Sequence, residues 1–108
     1  MADDMRSAQN VTERRIAAGR RVLEIEGRAL ATFAETLDAP FAEAVALILT
    51  TRGRVIVSGM GKSGHVAHKI VATLASTGTP AQFVHPAEAS HGDLGMVTDQ
   101  DVVLVLSN

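Results

Sequence analysis

Arg54-Val55-Ile56-Val57-Ser58-Gly59-Met60-Gly61-Lys62-Ser63-Gly64-His65 is the stretch on which the fold turns. Arg54 to Ser58 is a short apolar run rich in β-branched residues, which reads as a strand buried on both faces. Gly59 to Gly64 is a glycine-rich turn. From His65 to Thr77 the apolar residues Ile70, Val71, Leu74 and Ala75 recur at helical spacing. Gly78-Thr79-Pro80 stops that helix, and Ala81 to His85 reads as a second short strand. Pro86 to Thr98 is irregular or holds one helical turn, and Asp101 to Ser107 is a third strand. Strands separated by a crossover helix predict a parallel α/β sheet, which binds its ligands beyond the carboxyl ends of its strands. The chain stops at the carboxyl end of the third strand, where such a sheet normally continues. It is therefore expected to be the N-terminal part of a longer polypeptide.

Working back from the first strand, residues 1–10 are polar and read as a mobile tail. Val11 to Leu37 carries Ile16, Leu23, Leu30 and Leu37 at seven-residue intervals, the stripe of an amphipathic helix, with Thr12 as N-cap. That stripe suits either a partner subunit or the core of its own domain. Asp38-Ala39-Pro40 ends it and starts a second helix, whose buried face is Phe41, Val45, Ile48 and Leu49. The predicted organisation is a tail at 1–10, two helices over 11–52, and an α/β segment over 53–108.

Composition narrows the function classes. The 108 residues contain no Cys, which excludes disulfides, thiolate nucleophiles and Cys-ligated metal centres. The longest apolar run, Ala44 to Leu49, falls far short of the roughly 20 residues of a membrane helix, so no membrane partner is expected. Ten basic against twelve acidic residues leave a net charge of −2, with no basic field for nucleic acid. The only lysines are Lys62 and Lys69, and nothing after Lys69 is basic except His85 and His91. An anionic ligand near that half depends on Lys62, imidazoles, hydroxyls and backbone N–H groups.

The glycine turn admits three readings. A P-loop fails, because the required first glycine is Ile56. Gly59-Met60-Gly61-Lys62-Ser63-Gly64 does satisfy the dinucleotide-binding G-x-G-x-x-G. The acidic residue expected at the end of the second strand is missing, however; Glu88 comes three residues later, behind Pro86. The third reading is a phosphate or polyol site. Glycines let the backbone approach a ligand, the helix N-terminus favours an anion, Ser63 adds a hydroxyl and Lys62 a positive charge. Next comes His85-Pro86-Ala87-Glu88-Ala89-Ser90-His91-Gly92-Asp93, a loop with two histidines and two acids at the ligand-binding end of the sheet. A metal site from His85, His91 and a carboxylate is conceivable, although no helical His-x-x-x-His spacing supports it. His65 and His68 read as helix-surface or interface residues.

Four motifs in order, GMGKSGH at 59–65, ASTGTP at 75–80, FVHPAEASHGDLGM at 83–96 and DVVLVLSN at 101–108, closely resemble the arabinose-5-phosphate isomerases, enzymes of the sugar isomerase (SIS) domain family. The resemblance implies a flavodoxin-like, doubly wound three-layer sandwich with a parallel sheet and a long N-terminal helix, incomplete at the C-terminus. The rest of the SIS domain and any CBS modules would lie outside it. It implies interconversion of D-ribulose 5-phosphate and D-arabinose 5-phosphate for Kdo and lipopolysaccharide synthesis, in a cytoplasmic homotetramer. Position by position, it makes Lys62 and His91 catalytic. Gly61, Ser63, Gly78, Thr79, His85, His91, Ser107 and Asn108 become substrate contacts, Ser107 and Asn108 being the start of the phosphate loop. It requires no cofactor, with zinc at His85 as an incidental or inhibitory ligand. The family's remaining catalytic residues would lie past residue 108, so this piece alone is expected to be inactive. The alternative within the same fold is a sensing module that binds phosphosugar without chemistry.

Overall fold

The computed structural model describes residues 1–108, the side chain of Asp93 excepted. The chain divides into two compact units, Met1–Pro40 and Phe41–Asn108. The first is dominated by a single helix, α1 (Ala2–Ala34), about 50 Å long. It begins inside the stretch that reads as a mobile tail. Polarity suggests disorder there, but Asp3 and Asp4 sit in the first turn, where the helix dipole favours negative charge. The tail also has no glycine or proline to interrupt the helix. Thr12, expected as the N-cap, lies inside α1 and donates its hydroxyl hydrogen to the Ala8 carbonyl at 3.1 Å. No residue of α1 is buried.

The second unit runs α2 (Ala39–Thr50), β1 (Val55–Ser58), α3 (Lys62–Ser76), β2 (Ala81–Phe83), α4 (Pro86–Ala89), a 3₁₀ turn at Asp93–Met96, and β3 (Val102–Val105). The three strands are parallel in the order β2-β1-β3. This is the open α/β sheet expected from the sequence, in the doubly wound order that places a switch point between β1 and β3. α3 starts three residues earlier than predicted, at Lys62. The strands are shorter at their ends than the apolar runs suggest.

Burial concentrates on the central strand. Val55 and Val57 are fully buried on the face covered by α3, where they meet Ala67. Ile70, Val71, Leu74, Phe83 and Leu104 pack around them. Of the predicted buried face of α2, only Ile48 joins this cluster; Phe41 and Leu49 stay exposed. Ala67 and Gly64 are the residues of α3 that go deepest, because small side chains let the helix approach the sheet.

A polar clamp closes the amino end of the sheet. Asp101, whose side chain is 2% exposed, accepts from the Arg54 N–H at 2.7 Å and the Thr98 N–H at 2.8 Å. Arg54 also reaches Gln82 and donates to the Met96 carbonyl at 2.8 Å, tying the 86–98 segment back to the sheet. The Arg54 backbone N–H bond, followed by that from Thr98, holds the Asp101 carboxyl below its ordinary value of 3.8. A carboxylate with a depressed folded pKa stabilises the fold above the unfolded value, and that stability is lost as pH falls through the folded one. The expected result is that Asp101→Asn lowers stability at neutral pH. The gap to the parent protein should narrow below pH 3.8. Denaturant melts from pH 2 to 7 check it, and parallel acid branches in the two proteins would contradict it.

Candidate functional site

The crossing from β1 to α3 is built by close backbone approach. Gly61 caps α3 with φ +58°, a conformation reserved for glycine. A glycine cap has no side chain to offer the first-turn N–H groups; that of Gly64 bonds the Met60 carbonyl at 3.3 Å, which leaves those of Lys62 and Ser63 for a ligand. Gly64 lies against the Gly59 carbonyl oxygen so closely that a Cβ there would come within 2.7 Å of it. Ser58 completes the seam: its carbonyl accepts from the Leu106 N–H at 2.8 Å, and its hydroxyl donates to the Val84 carbonyl at 2.5 Å. The ends of all three strands are thereby joined at one residue, a role its sequence position does not reveal.

Three depressions open around this crossing. One of about 370 Å³ lies at the carboxyl ends of β1 and β3, lined by Gly59, Met60, Ser63, Pro86, Ser107 and Asn108 among others. Its place is the switch point, where doubly wound sheets bind ligands. A second, of about 410 Å³, shares Ser63, Ser107 and Asn108 with the first and adds Lys62 and Val66. A third, of about 250 Å³, lies between α3 and the end of β2 and is lined by Gly61, His65, His68, Phe83 and His85 among others. The structure thus gathers Lys62, Ser63, Ser107 and Asn108 on one side of the crossing, and Gly61 with His85 on the other.

Other sequence-predicted residues are not brought together with these. Gly78 and Thr79 lie between α3 and the start of β2, at the opposite end of the strand from His85. His91 is exposed in the turn after α4, its N–H bonded to the Glu88 carbonyl at 3.0 Å, and lines none of the three depressions. The Asp93 side chain, part of the histidine loop in the sequence, lies outside the described residues. His68 reads from the sequence as a surface or interface residue. It is exposed, yet its ring lies 3.8 Å from that of Phe83, centroid to centroid, and both line the third depression. Phe83 belongs to the second predicted strand, and nothing in its sequence position signals this contact.

The zinc reading of His85 meets a shortage of donors. Zinc takes three or four N, O or S ligands, and among the described residues no three His, Asp or Glu converge to hold a metal ion. His85 is instead engaged as the N-cap of α4, its Nδ1 accepting from the Ala87 N–H at 3.1 Å.

Comparison with known proteins agrees with this architecture. A family model described as the SIS domain matches residues 48–108. The chain is 57% identical over 91 residues to the arabinose 5-phosphate isomerase KdsD of Yersinia pestis, covering 84% of this chain and 28% of that protein. It is 53% identical over 97 residues to the arabinose 5-phosphate isomerase GutQ of Escherichia coli K12, covering 90% and 30%. A solved structure of an E. coli CFT073 protein in complex with arabinose 5-phosphate matches with a TM-score of 0.63 and 49% identity, over 73% of this chain and 44% of that one. The chain therefore spans less than a third of the length of these curated relatives. The parallel 2-1-3 sheet, the glycine crossing at its switch point and the family match over more than half of the residues lead to one conclusion: the chain belongs to the SIS domain family.

Proposed function

We infer that this chain carries part of the active site of an aldose–ketose isomerase that interconverts D-ribulose 5-phosphate and D-arabinose 5-phosphate. The observation that carries this reading is the grouping of Lys62, Ser63, Ser107 and Asn108 at the switch-point crevice. The identity of more than half the aligned residues to proteins named for that reaction supports it. The hydroxyls of Ser63 and Ser107, with the first-turn N–H groups of α3, suit a phosphate. Isomerisation moves a proton between C1 and C2 through an enediolate. A fixed cation beside the developing oxyanion stabilises the transition state more than the ground state, and Lys62 supplies that cation. His91 would orient a substrate hydroxyl or assist ring opening. No carboxylate lines the crevice among the described residues, so the general base is not one of the residues gathered there. Side chains alone suffice for the proton transfer, so no cofactor is required. The pathway served is Kdo synthesis for lipopolysaccharide, in a cytoplasmic homotetramer.

The test is a coupled assay with arabinose 5-phosphate on the protein expressed from its complete reading frame. Ribulose 5-phosphate formation is expected. Saturable binding without turnover would replace the isomerase by the phosphosugar-sensing module.

A further inference from the structure

We propose that the Ser58 hydroxyl is a positioning group for the isomerase site, holding the exit of β2 in place as one wall of the switch-point crevice; the substrate part of this rests on the isomerase reading above. The ladder between β1 and β2 shows why a hydroxyl is needed there. The Val55 N–H donates to the Pro80 carbonyl at 2.9 Å, and the Val84 N–H to the Val57 carbonyl at 3.0 Å. Continued parallel pairing would next bring the Gly59 N–H to the Val84 carbonyl. Gly59 has already left the strand for the crossing to α3, and among the described residues no backbone N–H reaches the Val84 carbonyl. Val84 is buried, where an unpaired carbonyl is costly. The Ser58 hydroxyl makes that bond instead, at 2.5 Å.

Two residues beyond Val84 stands Pro86, which starts α4 and lines the switch-point depression together with Gly59, Met60 and Ser63. Gly59 is the residue that follows Ser58. One hydroxyl thus ties the glycine crossing to the β2 exit at the point where the two diverge. The proline ring fixes φ, which leaves fewer torsions to absorb a shift of Val84 before it reaches the wall. On the β3 side the Ser58 carbonyl accepts from the Leu106 N–H, a backbone bond that does not depend on the side chain at 58. Ser58 lines none of the three depressions, so it acts through the wall and not on the substrate.

Two variants of the full-length protein test this, Ser58→Thr and Ser58→Val, which have nearly the same shape and differ in the hydroxyl. Amide hydrogen exchange without ligand should be faster at Val84 in the Val variant than in the Thr variant, by about ten-fold, with Leu106 alike in both. Equal exchange at Val84 overturns the proposal whatever the protein's activity proves to be. KM for arabinose 5-phosphate should be about ten-fold higher in the Val variant than in the Thr variant, the size of one lost hydrogen bond. The wall meets ground state and transition state alike, so kcat should agree within about three-fold. Faster exchange with an unchanged KM would make Ser58 a structural residue only, and refutes the positioning role. If the added methyls prevent both variants from folding, Ser58→Ala against the parent gives the same comparison. A parent that binds arabinose 5-phosphate without turnover refutes the isomerase reading, and the ratio of calorimetric Kd values then decides in place of KM. A parent that neither binds nor converts it removes the substrate part together with that reading.

Discussion

Replacing Lys62 by alanine is expected to lower kcat/KM of the full-length protein for arabinose 5-phosphate by about 10²–10³-fold, the usual cost of removing one group that stabilises an oxyanion. Lys62 is the first residue of α3 and is exposed, at the groove that it shares with Ser63, Ser107 and Asn108. Lys62 lines the same depression as Ser63 and Ser107, whose hydroxyls are assigned to the phosphate. Its charge therefore adds to the field of the helix N-terminus at one place. The other lysine, Lys69, is exposed further along α3 and lines none of the three depressions. Lys69→Ala should leave turnover unchanged. Lys62→Arg keeps the charge but exchanges a compact ammonium for a planar fork, so partial activity is expected. Steady-state kinetics of the three variants decide the matter. A Lys62→Ala enzyme within about three-fold of the parent would remove Lys62 from the mechanism, since one lost transition-state contact costs far more than that.

Gly64→Ala is expected to destabilise the sheet unit by about 1–3 kcal/mol, the range of overpacking in a close-packed interior. The added methyl would come within 2.7 Å of the Gly59 carbonyl oxygen and 3.5 Å of its carbon, with the Phe83 ring at 3.9 Å. The obstacle is backbone, so no rotamer change relieves it; α3 must move off β1. The displacement carries Lys62 and Ser63 with it, so activity should fall at temperatures where the variant is still folded. Gly19 and Gly27 provide the contrast, because in exposed α1 a Cβ at either meets nothing within 4 Å. Alanine at those two positions should favour the helix by about 0.5–1 kcal/mol. Thermal melts of the three variants give the comparison, and a Gly64→Ala protein as stable as the parent would show that the contact yields without cost.

Much of the sheet unit is legible because its signals are local. The β-branched run at 55–57, the glycines at 59, 61 and 64, and the stop at Gly78-Thr79-Pro80 each dictate backbone conformation within a few residues. The expectation of a tail at 1–10 fails for a related reason: low hydrophobicity argues against a core but not against a helix. Acidic residues in a first turn and a run free of glycine and proline suffice for α1 to begin at Ala2. The expected buried face of α2 fails in the other direction. Apolar spacing shows which side a helix can bury, and only the neighbouring elements determine how much of it is buried.

By itself the sequence determined the strand–turn–helix crossing, the absence of thiol chemistry, and the placing of Lys62 and Ser63 at a helix N-terminus, since all of these depend on residue type and short-range geometry. Tertiary structure alone decided which candidates share a space. Parallel pairing carries Ser107 and Asn108 to Lys62, leaves Thr79 at the far end of β2, and brings His68 against Phe83. Residues distant in the chain become neighbours only through strand order and helix packing, and neither is written in any local stretch.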